Sequence, residues 1–420
     1  MTRSRDLLVA CLTLSIFVSL SFFLFPADFG TFSDTEQSSG GDRPGQGSMG
    51  SIGDARPTFR DRLVNVRPLD HLPHSRTLGL TQIMVISLPH RTDRRARMSL
   101  LANALDADFG FFDGTLSTSD EITRIIEHVR VQREREGVLL QPTSDAGRRG
   151  PDEPAPQDLP HYPFDGPLEA YPDVSEPAGA DLWTLPPTDP RAPQPPLPPI
   201  PNPDTRPDIP QIMDTLERTR WWIEDSGIPF QEIVNDAVTA CYHAHYSLVR
   251  TFAAAPGAPD DTLLILEDDV DIEFDFERTL RHAMQGLPAD WDVLLPGYCD
   301  STETKHKPVP GYPRLRRSDD PLCNHGYIVS RRGARRLVSL LRSPSFAYSR
   351  ALDQAYKILI NEKILNFYSI APVQIVQEHK LNSDIRFGTG GGWWDDDLED
   401  SALQRAQILL DMEALQDAAR

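Results

Sequence analysis

The pattern of apolar and polar positions divides the chain sharply. QIMVISLPHRTDRRARMSLLANAL predicts a short strand at 83–88 and, after a loop, a helix through Leu105. FGFFDGT predicts a second strand closed by an Asp113-Gly114 turn. EITRIIEHVRVQRERE carries Ile122, Ile125, Ile126 and Val129 at helical spacing. Regular patterning returns with a helix over 233–255, then the unbroken apolar run Leu263–Leu266, a helix from FDFERTLRHAMQGLP and a buried strand from WDVLLPG. SRRGARRLVSLLR and ALDQAYKILINEKI predict two more helices, and NFYSIAPVQIVQ a late strand. Strand and helix alternate, so the fold class is α/β, one domain around a mostly parallel sheet.

Leu263–Leu266 runs directly into Glu267, Asp268, Asp269 and Asp271. A continuous apolar strand is buried on both faces, and open α/β sheets bind ligands beyond the carboxyl ends of their strands. Strict alternation places Glu267, Asp269 and Asp271 on one face and Asp268 on the other. Crowded carboxylates are either solvated or share a cation, and an all-oxygen set suits a hard divalent ion. Asp269 with Glu267 is the expected metal pair, and Asp268 is free to accept from a ribose hydroxyl.

Between the two patterned halves, residues 151–210 hold 20 prolines. Each proline removes a donor and fixes φ, so no packed helix or central strand survives there. Residues 141–210 are read as an extended, dispensable surface insertion. Residues 26–77 read as a disordered stem, poor in apolar residues. Residues 7–25, LLVACLTLSIFVSLSFFLF, carry no charge and match a bilayer span. Arg3 and Arg5 precede them, which leaves a cytosolic tail at 1–6 and the rest of the chain across the membrane. The patterned domain then comprises 78–140 and 211–395, with a helical tail at 396–420.

Charge and cysteines narrow the field. A net charge of −20 excludes nucleic acid as the main partner. Of four cysteines, Cys11 lies in the apolar span, and Cys299–Cys323 is the preferred pair if the compartment is oxidising.

Several blocks together resemble glycosyltransferase family 25, which includes lipooligosaccharide and collagen galactosyltransferases. They are VISLPHRTDRRARM, ACYHAHYSLV, LILEDDVDIEF, WDVLLPGYC, CNHGYIVSRRGARRLV, FAYSRALDQAYKILI and VQEHKLNSDI, and they are most similar to the fungal branch. The resemblance spans roughly 80–112 and 211–390. It implies a GT-A-like nucleotide-sugar domain, a UDP-sugar donor, galactose as the sugar moved, a glycan or protein-linked hydroxyl as acceptor, Mn2+, inversion, and a type II anchor in Golgi or ER with the domain lumenal. Carried onto this chain, it implies donor binding around Ser87, Arg91 and Arg94 at the end of the opening strand, with His245 buttressing that site. It implies a late metal ligand at His379 and a general base at Asp353. Arg95 and Arg97 read as a solvated helix face. Trp393 and Trp394, after GTGGG, are candidates for closing over the donor.

Departures fall on the acceptor side. Ala244 stands where the family usually has Ser, Gly297-Tyr298-Cys299-Asp300 replaces a more usual Gly-His-Cys-Trp, and Asn324 and Gly326 replace Thr and Ala. Two rivals differ in class. An Asp-x-Asp phosphohydrolase would need a hydroxyl after Asp271 and an early nucleophile, and this chain has neither. A catalytically inactive, membrane-tethered sugar-nucleotide or glycan binding protein is distinguished by whether UDP with manganese stabilises the chain and whether donor is consumed.

Overall fold

In the computed structural model, apolar runs become strands covered on both faces. The structure describes residues 59–64, 74–140, 172–193, 235–299, 301–319, 321–344, 346–361, 363–378 and 398–418. The expected anchor at 7–25 lies outside them. Among the described residues no helix is long and apolar enough to cross a membrane.

The elements are α1 (Phe59–Val64), β1 (Gln82–Ser87), α2 (Thr92–Leu105), β2 (Gly110–Asp113), α3 (Asp120–Leu140), α4 (Asp236–Ala254), β3 (Thr262–Glu267), β4 (Val270–Ile272) and α5 (Phe276–Gln285). They continue with β5 (Val293–Cys299), β6 (Leu315–Arg317), β7 (Leu322–Ser330), α6 (Arg331–Leu341), α7 (Leu352–Asn361), β8 (Phe367–Ile370), β9 (Ile375–Gln377) and α8 (Ala402–Ala418).

The main sheet runs β2-β1-β3-β7-β5-β8-β6. β1 is parallel to β2 and β3, and β5 is parallel to β8. β7 lies antiparallel between β3 and β5, and β6 is antiparallel to β8. The sheet is therefore mixed, which corrects the expectation of a mostly parallel one. The cause is β7, which no sequence pattern announced. Leu322–Ser330 mixes Cys323, Asn324 and His325 into its apolar positions and reads as a lead-in to α6 rather than as a central strand.

Alternation along β3 explains its unbroken apolar run. Leu263 and Ile265 enter one core with Tyr242 and Val249 of α4, Leu337 of α6 and Leu359 of α7. Leu264 and Leu266 enter the other core with Met98 and Leu101 of α2, Leu280 of α5 and Leu403 of α8. Gly326 lets the second layer approach: a Cβ there would meet the Ile375 side chain at 2.9 Å.

Two stretches differ from the sequence reading. Within the supposed stem, α1 forms and buries Leu63 in the second core. Within the proline-rich region, residues 172–193 pack on the domain around a 3₁₀ turn, Gly179–Thr184. Val174, Ala180 and Trp183 join the first core, and Trp183 stacks on His128 with ring centroids 5.8 Å apart. Three well-placed apolar contacts achieve what apolar periodicity usually signals, and proline density hid them. Asp181 anchors the turn. It is buried, accepts from the Tyr246 hydroxyl and the Ala178 amide, and faces Arg250 at 3.6 Å and Arg342 at 3.8 Å.

The acidic run also divides. β3 stops at Glu267, Asp268 and Asp269 form a turn, and β4 pairs instead with β9 in a separate two-stranded sheet. That break overturns the strict alternation expected of the four carboxylates. Asp271 turns away from the others to accept from the Ser401 hydroxyl and from the Leu403 amide at 3.2 Å. Glu273 accepts from the Glu399 and Asp400 amides at 2.5 and 3.0 Å. Asp271 caps the start of α8, where orphan amides favour carboxylates, and Glu273 holds the residues that lead into it. Asp271→Asn is expected to cost about 1–2 kcal/mol and to speed amide exchange over 402–410, with little change in activity.

Candidate functional site

The carboxyl end of β3 carries a compact group of titratable side chains. Glu267 closes the strand, and its Oε1 lies 3.3 Å from His245 Nε2. His245 is buried in α4, its ring 5.7 Å from that of Tyr327 and its Nδ1 3.1 Å from the Tyr327 hydroxyl. That contact fixes the ring so that Nε2 faces Glu267. Gln377 of β9 donates its amide toward Asp269 at 3.3 Å and Glu267 at 3.4 Å.

Arg94, expected to meet phosphate or uracil, is buried on the first turn of α2 and turned inward. Its Nη1 donates to Asp268 at 2.6 Å and to Asp269 at 3.1 Å. Asp268 is thereby engaged by a guanidinium rather than presented alone to a ribose. Arg91 pairs with Asp93 at 3.1 Å beside the β1–α2 loop. Ser87 is buried at the end of β1, and its carbonyl accepts from Arg95 at 2.8 Å and from Gly114 at 3.0 Å. Arg95 also meets Asp113, and Arg97 pairs with Glu378, so neither belongs to a merely solvated face.

Charge is unequally distributed within the cluster. Burial pushes Glu267 up, but the His245 hydrogen bond and the charges of His245, His325 and Arg94 outweigh it and hold Glu267 below its ordinary value. Asp269 goes the other way. Burial and the neighbouring Glu267 charge, against the opposition of Arg94, push it up to about 7. Glu267, Asp268 and Asp269 converge beside Arg94, and Asp269 is left titrating near pH 7. The oxygen donor set fits a hard divalent cation held by Glu267 and Asp269, with Asp268 beside them.

Asp353 opens α7, close enough for the Glu267 charge to act on it. It accepts from the Cys323 amide at 3.2 Å and its own neighbour Gln354 at 2.8 Å, and burial raises its pKa. The Cys299–Cys323 disulfide joins β5 to β7 at that point, with Cα atoms 5.5 Å apart. His243 does not join this group. It faces Thr115 at 2.9 Å and Glu121 at 3.5 Å on the side of α3. His379, Trp393 and Trp394 lie outside the described residues.

The sequence reading missed Cys241, Gln377 and Tyr327. Cys241 Sγ, His245 Nε2 and a Glu267 oxygen all lie within 4.8 Å of one another, a Cys/His/Glu cluster capable of coordinating a divalent metal. The available signal was the four-residue spacing of Cys241 and His245, one turn apart on a helix face. Gln377 and Tyr327 are brought in by β9 and β7, whose pairings the sequence did not reveal.

The chain is distantly related to the procollagen galactosyltransferases of family 25. No family model matches it. It is 31% identical to procollagen galactosyltransferase 1-B of Xenopus laevis and 30% to procollagen galactosyltransferase 1-A of the same organism. Each match covers 103 residues, 24% of this chain and 16% of the relative. It is 26% identical to procollagen galactosyltransferase 1 of Danio rerio over 150 residues, 35% of this chain and 22% of the relative. The matched stretches thus span less than a quarter of these relatives' length.

Proposed function

We propose that the chain is a glycosyltransferase that moves galactose from a UDP-sugar to a hydroxyl of a glycan or protein-linked acceptor, with inversion and with Mn2+. The observation that carries this reading is the poised cluster of Glu267, Asp268 and Asp269 beyond β3. The relation to procollagen galactosyltransferases supports the sugar, and the block-by-block likeness supports a fungal-branch enzyme. Glu267 and Asp269 would hold the cation, which would supply charge neutralisation to the diphosphate of the leaving nucleotide. Arg94 holds Asp268 and Asp269 in place, and the His245–Tyr327 contact orients the ring that buttresses Glu267. Arg91 stands at the loop after β1, where the donor phosphates are expected.

Asp353 receives the acceptor proton. Burial raises its pKa toward the working range of a general base, against the pull of its two amide donors. Asp353→Asn is expected to lower kcat by about 10²–10⁴-fold with donor KM little changed, measured by steady-state transfer. The chain is assigned a type II topology through residues 7–25, with the domain lumenal in Golgi or ER. The direct experiment is a donor-hydrolysis screen of the full-length protein across UDP- and GDP-sugars with manganese. Hydrolysis of a UDP-hexose supports the reading, and no turnover of any donor counts against it.

A further inference from the structure

Glu267 belongs to two donor sets of different chemistry. With Asp269 it forms an all-oxygen pair. With Cys241 and His245 it forms a sulfur–nitrogen–oxygen triad, because one turn of α4 brings the thiol and the imidazole to the same face. We propose that Cys241, His245 and Glu267 bind a thiophilic divalent cation of the zinc class, and that its occupancy inhibits the manganese-dependent reaction. The binding half stands on this geometry alone, and the inhibitory half rests on the proposed transferase function.

Three features support the assignment. First, the spacing is near that of a tetrahedral site. Zinc bonds of about 2.0–2.3 Å set ligand atoms roughly 3.3–3.7 Å apart. The His245 Nε2 to Glu267 Oε1 separation is already 3.3 Å. The whole set lies within 4.8 Å, a spread that small side-chain adjustments bring to tetrahedral spacing.

Second, the imidazole has the outer support that metal-bound histidines require. His245 is 2% exposed, and its Nδ1 meets the Tyr327 hydroxyl at 3.1 Å. In the neutral ring without metal, Nε2–H donates to Glu267 and Nδ1 accepts from Tyr327. With metal on Nε2, Nδ1 carries the proton and donates to the same hydroxyl. A hydroxyl serves either tautomer. Starting from the neutral ring, binding moves the imidazole proton from one nitrogen to the other and releases the thiol proton of Cys241 to solvent.

Third, the donor chemistry sets selectivity. Cys241 and Glu267 are partly exposed, whereas His245 is buried. One thiolate, one imidazole and one carboxylate leave a fourth position for water and favour zinc or cobalt well above manganese. Bound there, a dication draws on the Glu267 charge and repels a second cation at Asp269.

The test is cobalt titration of the full-length protein, free of other metals. The expected result is one equivalent per chain with the near-ultraviolet charge-transfer absorption of a cobalt–thiolate bond, displaced by Zn2+. The absorption disappears in Cys241→Ser and persists in Asp269→Asn, which leaves the triad intact while removing the manganese ligand. A readout on the unmutated chain accompanies it: zinc slows alkylation of Cys241, followed on its own peptide by mass spectrometry. In transfer assays, the Zn2+ concentration that halves each enzyme's own rate rises about 10-fold or more in Cys241→Ser. Wild-type protein without the thiolate band, or Cys241→Ser with an unchanged one, overturns the site. A band without any donor turnover leaves the site standing and overturns the transferase reading instead.

Discussion

Asp269→Asn is expected to abolish manganese-dependent transfer, lowering kcat by at least about 10²-fold, and to leave the protein folded. The substitution removes one charged oxygen donor and keeps the side chain's volume. Its effect on metal-free stability has a definite sign. The folded protein holds the Asp269 proton up to about pH 7, whereas the unfolded chain releases it near an ordinary carboxylate value. The unfolded state therefore binds fewer protons through that window. Stability drawn from this group is present at low pH and is lost as pH rises from about 4 to about 7. Asparagine does not titrate, so the variant melts above the wild type by a margin that grows across that window and then levels off. Added manganese reverses the order, because the cation stabilises only the wild-type cluster. Thermal unfolding at several pH values, with and without manganese, measures both effects. A variant that retains full transfer activity contradicts the metal assignment.

The second large effect concerns the proline-rich region. Replacing 145–208 by a Gly/Ser linker removes Val174, Ala180 and Trp183 from the first core, and with them the buried Asp181. Asp181 accepts from the Tyr246 hydroxyl and faces the Arg250 and Arg342 guanidiniums. Taking one partner from a buried charged network costs about 3–5 kcal/mol, and Trp183→Ala about the same through the cavity it leaves. At roughly 2–4 °C per kcal/mol, Asp181→Ala is expected to lower Tm by about 10 °C, and the linker replacement to yield little soluble folded protein. Replacing 145–170 alone, which spares Asp181 and Trp183, leaves Tm within a few degrees. Differential scanning fluorimetry of the three variants separates these outcomes. An unchanged Tm in Asp181→Ala would show that the turn contributes nothing to the fold.

The contrast between these two predictions shows where sequence reasoning works on this chain. β1, β3 and β5 were legible because a strand buried on both faces is an unbroken apolar run. Helices α2 to α7 were legible because their apolar positions recur at helical spacing. β7 was not, because Asn324 and His325 interrupt its apolar positions, and so the mixed sheet was not either. The packed turn at 179–184 depends on single residues spaced too irregularly to show a period. At the site, the sequence picked out Glu267, Asp268 and Asp269 but not their partners. Arg94 reaches Asp268 across 174 residues and Gln377 reaches Asp269 across 108. Such contacts follow from topology. The division of labour within the acidic run follows from it as well, since Asp271 holds the first turn of α8 and Glu273 the segment leading into it, more than a hundred residues later in the chain.

The most direct measurement of the central claim is the melting temperature of the full-length protein with UDP, with manganese and with both. A ligand bound only by the folded state at 100 times its Kd stabilises by about 2.7 kcal/mol. The melting temperature is expected to rise by at least about 5 °C with UDP and manganese together, little with UDP alone, and not at all in Asp269→Asn. No shift with UDP under any metal condition, or an equal shift in the absence of metal, would contradict it.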